Sequence, residues 1–293
     1  MKWAITGGSG QLARSLVNLL SEAAIPHFAW NHVELDVSDP ISIPKILEFQ
    51  PSVLVNCAAW TNVEEAEDSY EKALKVNQDG VRNVATAARE LDIPLIHIST
   101  DYVFSGFSTK PWRIDDLTQP ISKYGMSKLL GEQVLLEVWP EKSYIVRTAW
   151  LYGPYGRNFV KTILKKSIQT KDEIFVVDDQ TGQPTSTFDL ATRLFRISES
   201  SLPAGIYHGT NSGQATWWEF AREIVALSGN DVNRVIPVSS EKFPSKVNRP
   251  KFSVLDQSSW SKVGFEPMKD WRIALSEVFP RILDNVMKEL AGD

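Results

Sequence analysis

Short apolar runs alternate with amphipathic segments through the first half of the chain. The runs at residues 2–6, 26–30, 53–56, 95–99 and 144–148 have the length and the content of β-branched and aromatic residues that are typical of buried strands. The segments between them carry apolar residues at helical spacing, such as Leu16 with Leu19 and Leu20. Strands that alternate with helices form parallel sheets covered on both faces. The pattern therefore predicts an α/β fold with a Rossmann-type, doubly wound parallel sheet.

This regular alternation ends near residue 151. Beyond it, the pattern predicts helices at 158–169, 188–198 and 216–228 and short strands at 174–177, 205–208 and 234–238. We therefore predict a dinucleotide-binding Rossmann domain over residues 1–150 and a smaller, mixed α/β lobe for substrate binding over residues 151–293. Residues 188–212 are expected to return to the first domain.

The sequence pattern predicts helical structure between residues 64 and 94. Residues 64–68 form a charge run that suits an exposed helix start, because carboxylates are favourable near the N-terminal end of a helix. A single long helix is expected to follow, through Val76, Val84 and Leu91. Asn77 lies inside it. An asparagine at such a position commonly faces solvent, but its side chain could also reach the sheet and brace a site there.

A glycine-rich loop connects the first predicted strand to the first helix. Its sequence fits Gly7-x-x-Gly10-x-x-Ala13 and, in a second register, Gly8-x-Gly10-x-x-Ala13. In the order strand, loop, helix, such glycines let the backbone approach a pyrophosphate, which binds at the helix N-terminus. The loop therefore predicts a dinucleotide site.

The end of the second predicted strand bears on the type of dinucleotide. An acidic residue there would bind the adenosine ribose and favour NAD, but the chain has Asn31 and His32. These two residues leave NADP open as neighbours of a 2′-phosphate, although no arginine supports it. Asp36 is either a contact to the adenine amino group or part of a turn that leads into a helix.

Charge and composition narrow the partners. The chain has 293 residues, a formal net charge of −5 and one cysteine, Cys57. The negative charge argues against nucleic acid or an anionic membrane as the main partner. The cysteine lies in an apolar run, so we expect it to be a small buried hydrophobic residue. A single cysteine also fits a protein of a reducing compartment. Without an apolar run of ~18 residues or a recognisable signal peptide, the expected location is the cytoplasm.

A hydroxyl, a phenol and an ammonium are predicted to meet at the end of the fourth strand. Thr100 follows that strand, and Tyr124 and Lys128 lie four residues apart at the start of a helix, which puts them on one face. A free tyrosine has a pKa of about 10. A nearby ammonium lowers this pKa and makes the phenol a better general acid at neutral pH. The three residues therefore predict proton transfer to a substrate oxygen.

Motifs along nearly the whole chain carry a family resemblance. The glycine loop, the Ser-Thr-Asp-Tyr motif at 99–102 and Tyr124-x-x-x-Lys128 resemble the extended short-chain dehydrogenase/reductase superfamily. Further motifs at 99–106, 147–153, 179–185, 205–208 and 249–255 resemble the dTDP-4-dehydrorhamnose reductase family.

The resemblance implies reduction of the 4-keto group of dTDP-4-dehydro-6-deoxy-L-mannose, with hydride from NADPH, or from NADH. It implies that Tyr124 donates the proton, that Lys128 lowers the phenol pKa and holds the nicotinamide ribose, and that Thr100 binds the reacting oxygen. The positions that match cofactor contacts are Gly10, Gln11, Leu12, Asp36, Val37, Ala58, Ala59 and Trp60. The predicted cofactor site also includes Gly7 of the loop, Asn31 after the second strand, Tyr124 and Lys128.

Sugar recognition is implied for a smaller set of residues. Asp101 and Trp150 match sugar-contacting positions, beside Thr100 and Tyr124, although Trp150 also suits the core. Arg249 is expected to approach the diphosphate because a guanidinium suits phosphate, with an ion pair to a surface carboxylate as the alternative.

One departure from the family's sequence pattern bears on metal binding and on the oligomeric state. Some members of the family have a glutamate after the glycine loop that shares a magnesium ion across a dimer interface, whereas this chain has Ser15. None of the four histidines pairs with a carboxylate or cysteine at ligand spacing. We therefore predict no metal ion, and a monomer or a weak homodimer.

Four other functions are alternatives to this reduction. A 4,6-dehydratase needs a glutamate after the Thr-Asp pair, where this chain has Tyr102. An epimerase lacks the motifs at 179–185 and 249–255. A reductase of a related dTDP-4-keto-6-deoxy sugar would use the same residues, so the sequence leaves it open. A non-catalytic, NADP-binding regulatory subunit is disfavoured by the intact set of Thr100, Tyr124 and Lys128.

Overall fold

The structure is a computed structural model that describes residues 1–292. The described strands are β1 (Trp3–Thr6), β2 (His27–Trp30), β3 (Val53–Asn56), β4 (Leu95–Thr100), β5 (Ser143–Thr148), β6 (Leu151–Tyr152), β7 (Ile174–Val177), β8 (Thr181–Gly182), β9 (Thr185–Ser186), β10 (Gly205–His208), β11 (Ala215–Thr216) and β12 (Val235–Val238). The described α-helices are α1 (Gln11–Glu22), α2 (Pro44–Phe49), α3 (Val63–Asp68), α4 (Tyr70–Leu74), α5 (Gly80–Glu90), α6 (Lys123–Val138), α7 (Phe159–Gln169), α8 (Thr187–Ser198), α9 (Trp217–Leu227), α10 (Ser258–Lys262) and α11 (Trp271–Ala291).

The large sheet has the strand order β10-β5-β4-β3-β1-β2, and every neighbouring pair is parallel. Its central strands are apolar because both faces are covered. Helices α1 and α8 pack on one face through Leu16 and Leu194, and α5 and α6 pack on the other through Val84 and Leu135. The prediction of a Rossmann-type, doubly wound parallel sheet is confirmed.

The second half of the chain contributes to this large sheet. Strand β10 pairs with β5 in the register Tyr207 to Val146, and α8 packs against α1. Trp260, at the start of the C-terminal segment, is also buried in the core on that face. Residues far apart in the sequence therefore complete one layer.

A smaller lobe covers one end of the sheet. Strands β7 and β12 pair in parallel, and short pairs join β6 to β9 and β8 to β11. Helices α7, α9 and α11 enclose a separate apolar core that includes Leu164, Phe220 and Leu275. This lobe stands over the carboxyl ends of the strands, which is where ligands bind in open α/β sheets.

The long helix expected after residue 68 is present, but it is not α-helical throughout. Helix α4 continues into a π-helical turn over Lys75–Asp79, which leads directly into α5. The turn surrounds Asn77, whose buried amide donates to the carbonyl of Trp60 at 3.1 Å and to Ser127 Oγ at 2.9 Å. Its Oδ1 accepts from the Trp60 N–H at 2.9 Å. Asn77 therefore braces the sheet edge instead of facing solvent, and π-turns are frequent at such places.

No helix within residues 1–292 combines the length and the apolar character that crossing a bilayer requires.

Candidate active site

A cavity of about 530 Å³ lies between the carboxyl ends of the central strands and the smaller lobe. It brings together residues that the sequence analysis assigned to cofactor, catalysis and sugar. These are Gly10, Gln11, Leu12, Ala59, Thr100, Asp101, Tyr124, Lys128, Trp150 and Arg249. The cavity also contains residues that the analysis missed, among them Ser9, Thr61, Arg157 and Trp217.

The glycine loop leaves the N-terminus of α1 open to this cavity. Gly7 has a φ of +70°, and a Cβ there would lie 2.7 Å from the backbone nitrogen of Ala58, so a side chain is excluded. Gly10 precedes the helix and no side chain caps its first turn. The free N–H groups of that turn form an anion site. These residues therefore fit the pyrophosphate of a dinucleotide.

Thr100 and Asp101 form the rim at the end of β4. Thr100 Oγ1 donates to Asp101 Oδ1 at 2.9 Å and accepts from the Tyr102 N–H at 3.2 Å, which caps a short 3-10 turn. Burial raises the pKa of Asp101 to about 6, against hydrogen bonds from Ser253 and Thr100 that lower it. A carboxyl group in this state can donate or accept a hydrogen bond near neutral pH.

Helix α6 carries the tyrosine and the lysine into the site. Ser122 caps it by accepting the Gly125 N–H at 3.1 Å. A Cβ on Gly125 would lie 2.2 Å from the carbonyl oxygen of Tyr102, so only glycine allows the helix start to pack against the turn after β4. This approach sets the Tyr124 ring edge-on against Tyr102, with ring centroids 5.6 Å apart.

The protonation of Tyr124 differs from the expectation that Lys128 lowers its pKa. Burial raises the pKa of Tyr124, while a hydrogen bond from Thr100 acts in the opposite direction. Lys128 is engaged elsewhere: Nζ donates to the carbonyl of Ile98 at 2.7 Å and lies 3.3 Å from Nε2 of His97. Burial also lowers the pKa of Lys128, to about 8. In this conformation Tyr124 is a protonated phenol that is ready to act as an acid.

Two aromatic rings and an arginine form the side of the cavity next to the smaller lobe. Trp150, in the left-handed region with a φ of +46°, stacks on Trp217 with ring centroids 3.5 Å apart. Arg249 NH2 pairs with Glu64 at 2.8 Å, and NH1 lies 3.5 Å from the Tyr102 hydroxyl. Arg249 therefore forms the ion pair to a carboxylate that was the alternative, and it also lines the cavity; its approach to a diphosphate stays a prediction.

A second cavity, of about 1030 Å³, adjoins the first. Glu64 of α3 forms part of its wall. Trp217 and Arg249 line both cavities. Its wall includes the aromatic side chains of Phe107, Phe175 and Phe243.

Several residues assigned to the cofactor lie outside the first cavity. Asn31 Oδ1 accepts from the N–H groups of Val33 and Glu34, so it shapes the turn after β2. Asp36 accepts from the Ser38 N–H at 2.9 Å. Val37 is buried and contacts α5 at Gly80.

Ala58 and Trp60 lie in the segment after β3, on either side of Ala59, which lines the cavity. The Ala58 N–H donates to Asn56 Oδ1 at 3.1 Å, and the Trp60 backbone is held by Asn77.

Buried polar groups beneath the site were not predicted from the sequence. Glu132 on α6 and Arg147 on β5 form a buried ion pair at 2.7 Å, and Ser99 donates to Glu132. Asn56, the last residue of β3, lies beside His97 in the middle of β4. The signal for both was present in the sequence, as single polar residues in apolar runs.

Ser15 faces the interior of the Rossmann layer. Its hydroxyl lies 2.7 Å from Thr187 Oγ1, between α1 and α8. Within residues 1–292 no group of three or more His, Cys, Asp or Glu side chains is arranged to hold a metal ion.

Comparison with known proteins identifies the family. The model of the family described as the RmlD substrate binding domain matches residues 1–283. The chain belongs to this family. Among curated members, a dTDP-4-dehydrorhamnose reductase of Streptomyces griseus is 44% identical over 99% of this chain and 97% of its own length. A dTDP-4-keto-6-deoxy-D-glucose reductase of Streptomyces niveus is 41% identical over 95% of this chain and 96% of its own length.

A solved structure of this RmlD-type family has the same fold as the chain. The dTDP-4-dehydrorhamnose reductase of Bacillus anthracis, solved in complex with NADP, superposes with a TM-score of 0.91 at 37% identity and covers 96% of this chain and 99% of its own.

Proposed function

We propose that this chain reduces the 4-keto group of dTDP-4-dehydro-6-deoxy-L-mannose to dTDP-L-rhamnose, with NADPH as the hydride donor. The observation that carries the proposal is that one cavity joins an open helix N-terminus, a Thr-Tyr-Lys set and an aromatic wall with an arginine. Each part suits one component of the reaction, namely the pyrophosphate, the reacting carbonyl and the nucleotide sugar. The curated relatives include reductases of this class.

The cofactor would lie across the carboxyl ends of β1 and β3. The first turn of α1 and the backbone of Gly10, Gln11 and Leu12 would hold the pyrophosphate, because no side chain occupies their N–H groups. Ala58, Ala59 and Trp60 would contact the nicotinamide half. When bound, the nicotinamide supplies the hydride.

The turn after β2 supports use of both cofactors. His32 is exposed there beside Asn31 and suits a 2′-phosphate. The carboxylate of Glu34 accepts the Asn31 N–H at 2.9 Å and places negative charge at the same turn, which suits a free 2′-hydroxyl. We therefore propose NADPH as the cofactor, with NADH as a working substitute.

Tyr124 would donate the proton to the oxygen that becomes the 4-hydroxyl. Burial keeps its phenol protonated at neutral pH, so the proton is present when the alkoxide develops. Thr100 Oγ1 would donate to the same oxygen and stabilise the developing negative charge. Lys128 would hold the nicotinamide ribose and return a proton to the phenolate after each turnover.

The sugar nucleotide would extend from the first cavity into the second. Asp101 would bind a sugar hydroxyl, and Trp150, supported by its stack on Trp217, would contact the apolar face of the ring. Arg249 stands where the two cavities meet, so its guanidinium would bind the diphosphate in place of Glu64.

A related reductase is the second candidate. The relative from Streptomyces niveus is named for a 4-keto-6-deoxy-D-glucose nucleotide and is 41% identical. The residues that meet the reacting oxygen would be the same, and only the hydroxyl contacts of the sugar would differ.

We further propose that the enzyme acts as a monomer or a weak homodimer in the cytoplasm. Ser15 is buried between α1 and α8, so this position offers no surface carboxylate for a shared metal ion. The free thiol of Cys57 suits a reducing compartment.

The test is oxidation of NADPH, followed by its absorbance, with the 4-keto-L-sugar nucleotide made in situ by the upstream dehydratase and epimerase. NADH and the 4-keto-D-glucose nucleotide are supplied in parallel, and the product is identified by chromatography. We expect dTDP-L-rhamnose. Product from the D-sugar alone would favour the second candidate, and no oxidation with either sugar would refute both.

The variant Tyr124→Phe separates the acid from the binding site. We expect kcat to fall by about 10²-fold or more while cofactor affinity stays, because the ring and its packing against Tyr102 remain. Tyr102→Phe is the matched control, since it removes a phenol in the same cavity that the mechanism does not use as the acid. Unchanged turnover in Tyr124→Phe would remove that residue from its proposed role.

A further inference from the structure

Three polar side chains form a buried chain beneath the active-site cavity. Nδ2 of Asn56 lies 3.2 Å from Nδ1 of His97, and Nε2 of His97 lies 3.3 Å from Nζ of Lys128. All three residues are almost fully buried. Each contact can form only if one atom carries a hydrogen and the other offers a lone pair, so the three protonation states depend on one another.

The orientation of the Asn56 amide is fixed by the backbone. The N–H of Ala58, which can only donate, points to Oδ1 at 3.1 Å, and the hydroxyl of Thr6 donates to the same oxygen at 2.7 Å. Oδ1 is therefore the end of the amide that faces these two donors. Nδ2, which can only donate, is left facing His97.

This orientation determines the tautomer of His97. Because Nδ2 of Asn56 donates, Nδ1 of His97 must accept and carries no hydrogen. Burial holds the pKa of His97 well below its usual range, so the ring is neutral. The one ring hydrogen is then on Nε2, and it points towards Nζ of Lys128.

A donor that faces Nζ favours the amine over the ammonium. The amine has a lone pair that accepts from Nε2–H, whereas every hydrogen of an ammonium would oppose it. The carbonyl of Ile98 accepts from Nζ at 2.7 Å in either state, so it does not cancel this preference.

We propose that Asn56 fixes His97 as the Nε2–H tautomer, and that His97 is thereby a positioning residue that favours the neutral amine of Lys128. The catalytic consequence rests on the proposed function. An ammonium that is disfavoured in this way gives its proton readily to the phenolate that Tyr124 becomes after it has protonated the product oxygen. The Nζ–H bond breaks, the phenol O–H bond forms, and the amine then accepts from His97. A proton from solvent water restores the ammonium before the next turnover.

The other titratable groups around Lys128 do not reverse this preference. Cys57, after β3, has its pKa raised to about 12 by burial and is a neutral thiol. Glu132, one turn along α6, favours the ammonium, but its charge is paired with Arg147 on β5. Tyr124 is a neutral phenol, and His97 is the group on β4.

The tautomer can be observed directly in the protein without substrate. Long-range ¹H–¹⁵N correlation spectra distinguish a protonated ring nitrogen from an unprotonated one. The chain has four histidines, so loss of one pattern in His97→Asn assigns its signals. We expect protonated Nε2 and unprotonated Nδ1 at neutral pH. A protonated Nδ1 would overturn the proposal.

Substitution of Asn56 by aspartate reverses the hydrogen-bond direction without changing the size of the side chain. In Asn56→Asp one carboxylate oxygen still accepts from Ala58, while the other accepts from His97, so the ring hydrogen moves to Nδ1. Thr6→Val is the matched control, because it removes one donor to Oδ1 but leaves the Ala58 N–H to orient the amide. We expect the tautomer to reverse in Asn56→Asp and to stay in Thr6→Val.

The effect on Lys128 is read from the pH titration of its ¹³Cε resonance, assigned with Lys128→Met. In His97→Asn, which adds no charge, we expect the Lys128 pKa to rise by about one unit, because the opposing donor is gone. An unchanged pKa would show that His97 has only a structural role. Both spectra are recorded without substrate, so failure of the proposed reductase activity would leave these results untouched.

Discussion

The buried pair between Glu132 and Arg147 offers a sharp test of what supports the catalytic rim. Arg147 donates through Nε and NH2 to both oxygens of Glu132, at distances between 2.7 and 3.2 Å. Ser99, the residue before Thr100, donates to the same carboxylate. In Glu132→Gln this carboxylate is replaced by an amide, and the guanidinium is left buried without a counter-charge.

The expected cost follows from the burial of both groups. Their side chains are 3% and 2% exposed, so solvent cannot replace the lost partner. Breaking such a pair costs about 3–5 kcal/mol of the free energy of unfolding. With a shift of about 2–4 °C per kcal/mol for chains of this size range, the melting temperature should fall by roughly 10 °C.

The assay is thermal and urea unfolding followed by circular dichroism, with refolding checked in each case. The double variant Glu132→Met with Arg147→Met removes both charges at similar volume, so it should recover part of the loss. A melting temperature within about 2 °C of the parent in Glu132→Gln would refute the reasoning, because it would mean that water reaches the guanidinium.

Two further predictions concern the sugar wall and the pH dependence of stability. In Gly182→Ala the new Cβ would lie 2.5 Å from the Trp150 ring, so we expect that ring to be displaced. The KM for the sugar nucleotide should rise by about 10-fold, which corresponds to a loss of ~1.4 kcal/mol of binding free energy, while cofactor affinity stays unchanged. An unchanged KM would remove Trp150 from sugar binding. Burial lowers the pKa of His208 to about 4, and unfolding releases it to about 6.5, so the unfolded state takes up the proton first and stability falls as the pH drops between these values. From pH 6.5 to pH 5 His208 alone should cost about 1.6 kcal/mol. His97, whose pKa is held well below its usual range, adds to this loss, and Asp101, whose pKa is raised to about 6, offsets part of it. Urea midpoints that fall as steeply in His208→Asn as in the parent would contradict the role of His208.

The strands and the glycine loop could be predicted because local pattern decides them. Each central strand is a continuous apolar run, and the loop must lack side chains where Gly7 approaches Ala58. The π-helical turn at Lys75–Asp79 could not be predicted, because it accompanies tertiary contacts of Asn77 with Trp60 and Ser127. Apolar spacing alone carries no information about such a contact.

The candidate site was predictable in its residue types and less so in its protonation. The positions of Thr100, Tyr124 and Lys128 follow from the strand end and the helix face, and they line one cavity. From the sequence, Lys128 was expected to have a single neighbour in the protein, Tyr124. The structure gives it two others, His97 and the carbonyl of Ile98, which come from a strand some 30 residues away. Electrostatic environments of this kind depend on the packing of distant segments.

The position of β10 at the edge of the large sheet has a consequence for synthesis on the ribosome. Strand β10, which completes the six-stranded sheet, is available only after residue 208 has been translated. Trp260, which packs on the same layer, is made later still. Until residue 198 has been translated, Leu16 and Leu20 of α1 also lack their cover from α8. A nascent chain that ends near residue 150 would therefore expose apolar surface and need a chaperone, so the nucleotide-binding half is completed only after most of the smaller lobe has been made.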